Sequence, residues 1–115
     1  MKRVQLVQLN NSYGNQVYLP YSIGILTSYA MKIKKIRENF LFQDFIFLRE
    51  SVEKMMARVG SADILGISCY VWNWELSVKL AEAVKKKNKN CLVIFGGPHV
   101  PKNDKDFFMK YPFID

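Results

Sequence analysis

The side chains able to do covalent or acid–base chemistry are few. His99 is the single histidine of the 115-residue chain, and Cys69 and Cys91 are its two thiols. His99 stands in the turn Gly96-Gly97-Pro98-His99-Val100-Pro101 with no carboxylate cluster beside it. A lone histidine in such a turn reads as a hydrogen-bonding residue that orders the loop rather than as a metal ligand or general base. Cys69 ends the apolar run Ala62 to Cys69 with no adjacent histidine to activate it, and it reads as a small core residue. The two cysteines have neither CxxC spacing nor the density of a disulfide framework, so both are expected to be reduced. Catalysis by this chain alone therefore lacks the residues to carry it.

A second group of side chains offers contact area instead of reactivity. Tyr70, Trp72 and Trp74 follow the apolar run, and Tyr13, Tyr18 and Tyr21 surround an early polar stretch. Flat aromatic side chains serve equally to hold a large planar ligand and to pack a core or a domain boundary, and composition leaves both readings open. Gly66, Gly96 and Gly97 likewise permit close backbone approach, either between helix and strand or toward a ligand.

The elements that must position these residues follow from periodicity. Val4 to Leu9 is a short β-prone segment that stops at Asn10-Asn11-Ser12-Tyr13-Gly14-Asn15, a strand and its loop. From Pro20, the steps Leu19, Ile23, Leu26, Ala30 and Ile33 predict a helix ending in the cluster Lys32, Lys34, Lys35 and Arg37. Phe40 to Leu48 is aromatic-rich and predicts a second strand. Val52, Met55, Met56 and Val59 make one face of a helix closed by Gly60, with the methionines as core filler. Ala62 to Cys69 predicts a third strand buried on both faces.

A helix from Trp74 carries Leu76, Leu80, Ala83 and Val84 inward and ends at Lys85-Lys86-Lys87. Cys91 to Phe95 is a fourth strand. Asp104 to Tyr111 forms a short helix with Phe107, Phe108 and Tyr111 on one side, and Phe113-Ile114-Asp115 reads as the truncated start of a fifth strand.

Strands alternating with helices imply right-handed crossovers and a parallel sheet with helices on both faces: one α/β domain over residues 1–115. Half of the residues are hydrophobic, enough for one core. No apolar run reaches membrane-spanning length and no signal-peptide core follows Met1-Lys2-Arg3, which points to a cytoplasmic protein without a membrane partner. The net charge of +7 comes from lysine clusters expected at helix C-termini, where cations offset the macrodipole, and no nucleic-acid motif accompanies them. Ligands in this class bind outside the carboxyl ends of the strands, which selects the loops Asn10 to Asn15, Ser68 to Asn73 and Gly96 to Val100. The first of these has no GxGxxG, no P-loop occurs, and Asn10-Asn11 offers no acidic metal site of the receiver type.

Three stretches together carry a family resemblance. Tyr18-Leu19-Pro20-Tyr21-Ser22-Ile23-Gly24, then Ala62 through Asn73 with its Tyr-Val-Trp-Asn ending, then Val93-Ile94-Phe95-Gly96-Gly97-Pro98-His99-Val100 resemble the N-terminal cobalamin-binding domain of radical SAM enzymes. Tyr111 to Asp115 resembles the stretch that in this family leads to a Gly-Glu-Gly-Glu segment and the catalytic barrel. The resemblance implies a flavodoxin-like strand order, two-one-three-four-five, with cobalamin (vitamin B12) across the carboxyl edge and its nucleotide tail in a groove beside strands three and four. Carried over by position, Asn11, Ser12, Tyr13, Ser68, Cys69, Tyr70, Val71, Trp72, Gly96, Gly97, Pro98 and His99 would face the corrin or its tail. Tyr70 and Trp72 would border the corrin's lower face or a partner barrel.

The Asp-x-His-x-x-Gly signature of histidine-ligated cobalamin is absent, so the resemblance implies binding without histidine ligation and no metal ligand from the chain. The Cys-x-x-x-Cys-x-x-Cys motif is absent too. S-adenosylmethionine and the iron–sulfur (4Fe-4S) cluster would belong to a downstream radical SAM catalytic domain, with a methyltransferase or a ring-forming enzyme as the implied parent. Two alternatives stay open: a cofactor-free interaction domain of the same fold packing its Tyr70 and Trp72 edge on a barrel or another subunit, and a free-standing nucleotide-binding flavodoxin-like protein.

Overall fold

The computed structural model describes residues 1–115. Its central strand is β1 (Lys2–Asn10), flanked on one side by two short strands, β4 (Phe40–Phe42) and β5 (Ile46–Leu48), and on the other by β6 (Ile64–Ser68) and then β7 (Leu92–Gly96). All pairings in this sheet are parallel. The order is the expected two-one-three-four, and beyond β7 the Asp115 amide donates to Val93 O at 2.9 Å, the first bond of an outer pairing. Between β1 and α1 (Tyr21–Ala30), β2 (Ser12–Tyr13) and β3 (Gln16–Val17) form a small antiparallel hairpin. The remaining helices are α2 (Lys34–Asn39), α3 (Val52–Val59), α4 (Trp74–Lys87) and α5 (Phe107–Lys110). No helix is long and apolar enough to cross a membrane.

Side chains alternate across the sheet, and the alternation sorts the core into two unequal parts. Val7, Leu9, Leu65, Ile67 and Val93 point to one face, where Met55 and Val59 of α3, Leu80, Ala81 and Val84 of α4, and Phe107 of α5 close over them. Val4 and Leu6 point to the other face, where Ile23 is the one buried residue of α1. There Ile64 and Gly66 are half-covered, and Leu92 and Ile94 of β7 are 44% and 47% exposed. Strand β6 is thus buried on one face and open on the other, against the expectation of burial on both.

Several expected elements shift for identifiable reasons. The second strand breaks in two because the buried Gln5 amide takes the Asp44 carbonyl at 2.8 Å; from Val4–Phe42 to Val7–Ile46 the partner advances one residue more than β1. The first helix ends at Ala30, and Lys34 and Lys35 open α2 instead of capping α1. Arg37 does reach back to Met31 O at 2.7 Å. Of the expected α1 face, Leu19 is 77% and Leu26 56% exposed. The inward face of α4 centres on Ser77, Leu80, Ala81 and Val84, one residue round from the expected set. Phe108 turns to solvent while Phe107 is buried. Helix α3 forms as read: Ser51 Oγ accepts from Lys54 N at 3.3 Å, and Gly60 closes it with φ +59°.

Candidate functional site

Strand β1 hands the chain to α1 on one face, and its neighbour β6 hands it to α4 on the other. Such a reversal opens a crevice at the carboxyl ends of the two strands. Two adjoining depressions occupy it. An edge pocket of about 380 Å³ is lined by Asn10, Asn11, Tyr13 and Tyr18 from the β1 side and by Tyr70 and Trp72 from the β6 side, with Gln8 beneath. A groove of about 370 Å³ continues between α1 and the open sheet face, walled by Leu6, Ile23 and Leu26, with Gly66, Ser68 and Gly96 as its floor. Tyr70 lines both, so its ring is the partition between them.

The β1 side is shaped by the hairpin. Gly14, at φ +57°, makes the turn between Tyr13 and Gln16, and the Tyr13 and Tyr18 rings meet edge to face with centroids 5.8 Å apart. Asn10 Nδ2 donates to Tyr18 O at 3.0 Å and ties the hairpin's exit back to the end of β1.

The β6 side is shaped by Asn73, which is 1% exposed. Its Oδ1 accepts the Tyr70 amide at 2.8 Å, while its Nδ2 donates to Leu9 O and Ser68 O, each at 3.1 Å. One side chain thereby closes the turn and joins the ends of β1 and β6. The turn presents Tyr70 stacked on Trp72, with centroids 4.6 Å apart and planes within 12°. Arg49 Nη1 donates to Trp72 O at 2.9 Å, and the Tyr70 hydroxyl shares a hydrogen bond with Ser22 Oγ of α1 at 2.9 Å.

The three glycines divide by what surrounds them. At Gly97, φ is +95° and an added Cβ would stand 2.5 Å from Cys69 O, so this glycine serves the loop's approach to the end of β6. That approach is sealed by Cys69 N–H to Gly96 O at 2.7 Å and His99 N–H to Cys69 O at 3.2 Å. At Gly66 an added Cβ would meet Leu6 Cδ2 at 2.8 Å, whereas at Gly96 it would meet nothing within 4 Å. Gly96 is the one whose missing side chain leaves groove space.

The residues singled out in the sequence separate accordingly. Asn11, Tyr13, Tyr70 and Trp72 line the edge pocket; Ser68, Gly96, Gly97 and Pro98 line the groove. Ser12 lies in the exposed hairpin, and Val71, 71% exposed, lines neither depression. Cys69 departs from the expected edge position: its side chain is wholly buried in the α3–α4 core, and burial pushes its thiol up to about 12, only partly offset by the Ser77 hydroxyl. His99 departs as well. Its ring lies 5.0 Å from Trp74, at the α4 side of the sheet and away from both depressions. Cys91 is buried and its thiol is also raised, chiefly by burial. Nowhere do three or more His, Cys, Asp or Glu side chains gather as a metal site.

Gln8 is a site residue that the sequence did not single out; Asn10 and Asn73 stand at the bounds of the selected loops, Tyr18 in the aromatic group, and Ile23 and Leu26 on the first helix, but none of them was assigned a place in the site. The available signal was the alternation Leu6, Gln8, Asn10, which puts both amides on the α1 face of β1.

No protein-family model matches the chain. It is 39% identical over 98 residues, 85% of its length and 14% of the relative's, to the 2-(S-pantetheinyl)-carbapenam-3-carboxylate methyltransferase of Streptantibioticus cattleyicolor. It is 38% identical over 114 residues, 99% of its length and 16% of the relative's, to the cobalamin-dependent radical SAM methyltransferase TokK of Streptomyces tokunonensis. Fold and edge define a flavodoxin-like α/β domain with an aromatic-walled carboxyl end. With these relatives, the chain is homologous to the N-terminal part of cobalamin-dependent radical SAM methyltransferases, and its parallel α/β sheet fits the cobalamin-binding domain of such enzymes. It spans between 14% and 16% of the length of the curated relatives it matches.

Proposed function

We propose that this chain is the cobalamin-holding module of a radical SAM methyltransferase, taking the corrin over the edge pocket and the nucleotide tail into the groove. The observation that carries the reading is the shared wall: an aromatic-lined pocket and an apolar, glycine-floored groove meet at Tyr70, as a flat ring bearing an elongated tail requires. The residues fit such a group. Gly96 leaves open space, Leu6, Ile23 and Leu26 give apolar walls, and Tyr70 and Trp72 give a planar surface.

No histidine stands at either depression and the Cys69 thiol stays protonated at neutral pH, so the chain supplies no cobalt ligand. When bound, cobalamin supplies a cobalt centre able to carry a methyl group. The chain's own part is to bind and orient. The Tyr70–Ser22 hydrogen bond spans the junction of pocket and groove, so a ligand occupying both displaces it. The catalytic partner in this reading is a radical SAM domain, which brings the S-adenosylmethionine and iron–sulfur chemistry.

The test is a titration of the purified chain with hydroxocobalamin, followed by visible absorbance and calorimetry. One-to-one saturable binding is expected. A Cβ added at Gly96 meets nothing within 4 Å and Gly96 lines the groove, so Gly96→Leu should place its side chain in groove space and weaken binding at least about tenfold, or ~1.4 kcal/mol. A folded chain that binds no corrinoid, or a Gly96→Leu variant with undiminished affinity, would overturn the placement.

A further inference from the structure

Beneath the edge pocket, two amide side chains form a relay whose direction is fixed by a backbone carbonyl. Gln8 and Asn10 lie two apart on β1, on the α1 face, and each is 6% exposed. Asn10 faces Tyr18 O at 3.0 Å. A carbonyl oxygen only accepts, so Asn10 must turn its NH₂ group toward Tyr18 and its Oδ1 the other way. That Oδ1 stands 3.4 Å from the Gln8 amide, and two oxygens cannot share a hydrogen bond, so Gln8 must offer Nε2. The relay leaves Gln8 Oε1 pointing away from Asn10, where no group of the protein donates to it. An acceptor stripped of water and given no partner is unfavourable, and the same face of β1 carries Val4 and Leu6, which have no such requirement.

Resting on the cobalamin reading above, we infer that Gln8 Oε1 is a ligand-recognition atom that accepts an N–H from a peripheral primary carboxamide of the corrin. The rim of a corrin carries acetamide and propionamide groups, each with N–H donors. A carboxylate in such a position has no proton to give at neutral pH and would set oxygen against oxygen. The relay therefore makes the pocket selective for the amidated corrinoid over one with a carboxylate at that rim position. The basis of the choice is hydrogen-bond polarity, not net charge; a chain of +7 would on charge alone favour the acid.

Calorimetry with cobalamin and with its separate peripheral monocarboxylic acids tests this, on the unsubstituted chain and on Gln8→Leu, with a thermal melt of each protein. The unsubstituted chain should bind one of the monocarboxylic acids roughly 5–30-fold more weakly than cobalamin, the range of one buried hydrogen bond. Gln8→Leu should melt at or above the parent temperature, bind cobalamin more weakly by a similar factor, and no longer distinguish that acid from the amide. Equal affinity of the unsubstituted chain for cobalamin and all of the acids overturns the inference without recourse to any variant. So does a Gln8→Leu protein that binds cobalamin within about twofold of the parent. In both cases cobalamin still binds and the module reading stands; a chain that binds no corrinoid at all removes both.

Discussion

Replacing Asn73 by aspartate changes one atom's chemistry at the point where the whole carboxyl edge is tied together. Aspartate keeps the oxygen that accepts the Tyr70 amide at 2.8 Å. It loses the NH₂ that donates to Leu9 O and Ser68 O, and sets a carboxylate oxygen against those two carbonyls 3.1 Å away. At 1% exposure, water does little to relieve the contact. Two lost hydrogen bonds and a buried charge without a cationic partner cost roughly 3–5 kcal/mol at neutral pH. For a domain of this size, that lowers the melting midpoint by more than about 10 °C.

The pH dependence separates this cause from a general packing defect. Desolvation and the two facing carbonyls hold the new carboxyl above its unfolded value, so its protonated form is the one the fold prefers. The stability it retains is fully present below the unfolded carboxylate range and is lost as pH rises through the higher folded value. The gap between Asn73→Asp and the parent should therefore be widest near neutrality and shrink in acid, where the protonated carboxyl donates to one of the carbonyls. Asn73→Ala, which lacks the group, should show a gap that does not shrink. Urea melts of the three proteins at pH 7 and at about pH 4.5 are the assay. A neutral-pH loss below about 1 kcal/mol for Asn73→Asp, or a loss unchanged by acid, would refute the assigned roles of these hydrogen bonds.

Gly97→Ala should be far more damaging than its size suggests, by about 2 kcal/mol or more, because the added Cβ meets backbone at 2.5 Å and a φ of +95° suits no alanine; an unchanged denaturation midpoint would contradict this. The Cys69 thiol should resist iodoacetamide in the folded protein at pH 8 and react only on unfolding. Because its folded pKa is raised to about 12, the unfolded thiol ionises first, so its contribution is complete below about pH 8.5 and declines as pH rises toward the folded value. Rapid labelling under native conditions, or a Cys69→Ala variant whose alkaline melting curve parallels that of the parent, would count against it.

Periodicity made β1, β6, β7, α3 and α4 legible because each is a local pattern with one answer. The second strand was legible as β structure but not as two pieces, since the break depends on Gln5 capturing the Asp44 carbonyl 39 residues away. The apolar runs Ile64 to Ile67 and Leu92 to Phe95 implied cover on both faces. The structure covers one, and α1 lies far enough to the β1 side to leave Ile94 in the open. The loops of the edge were legible from a topological rule that needs only strand order. Within them Cys69 is the small core residue that its position in the apolar run suggested, and it is the edge positions implied by the resemblance for Cys69 and His99 that their side chains do not take, because a strand's last side chain alternates inward and the Gly97 turn carries His99 over Trp74. The roles of Gln8, Asn10 and Asn73, the last two at the bounds of the selected loops, were out of reach for a common reason: each acts through a carbonyl or amide that only the fold brings near.

The withdrawal of reactive groups from this edge is itself informative. Cys69 and Cys91 are buried, His99 rests on Trp74, and Lys85, Lys86 and Lys87 lie in the last turn of α4. What remains at the crevice is backbone, amide and hydroxyl groups, and aromatic rings. Such a surface is suited to the proposed role of fixing a large amide-rich planar molecule by area and hydrogen-bond polarity. Substitutions here should therefore act on how tightly and in what orientation a cofactor is held. In the proposed reading, a chemical step belongs to groups that the cofactor and a partner domain would bring to the edge.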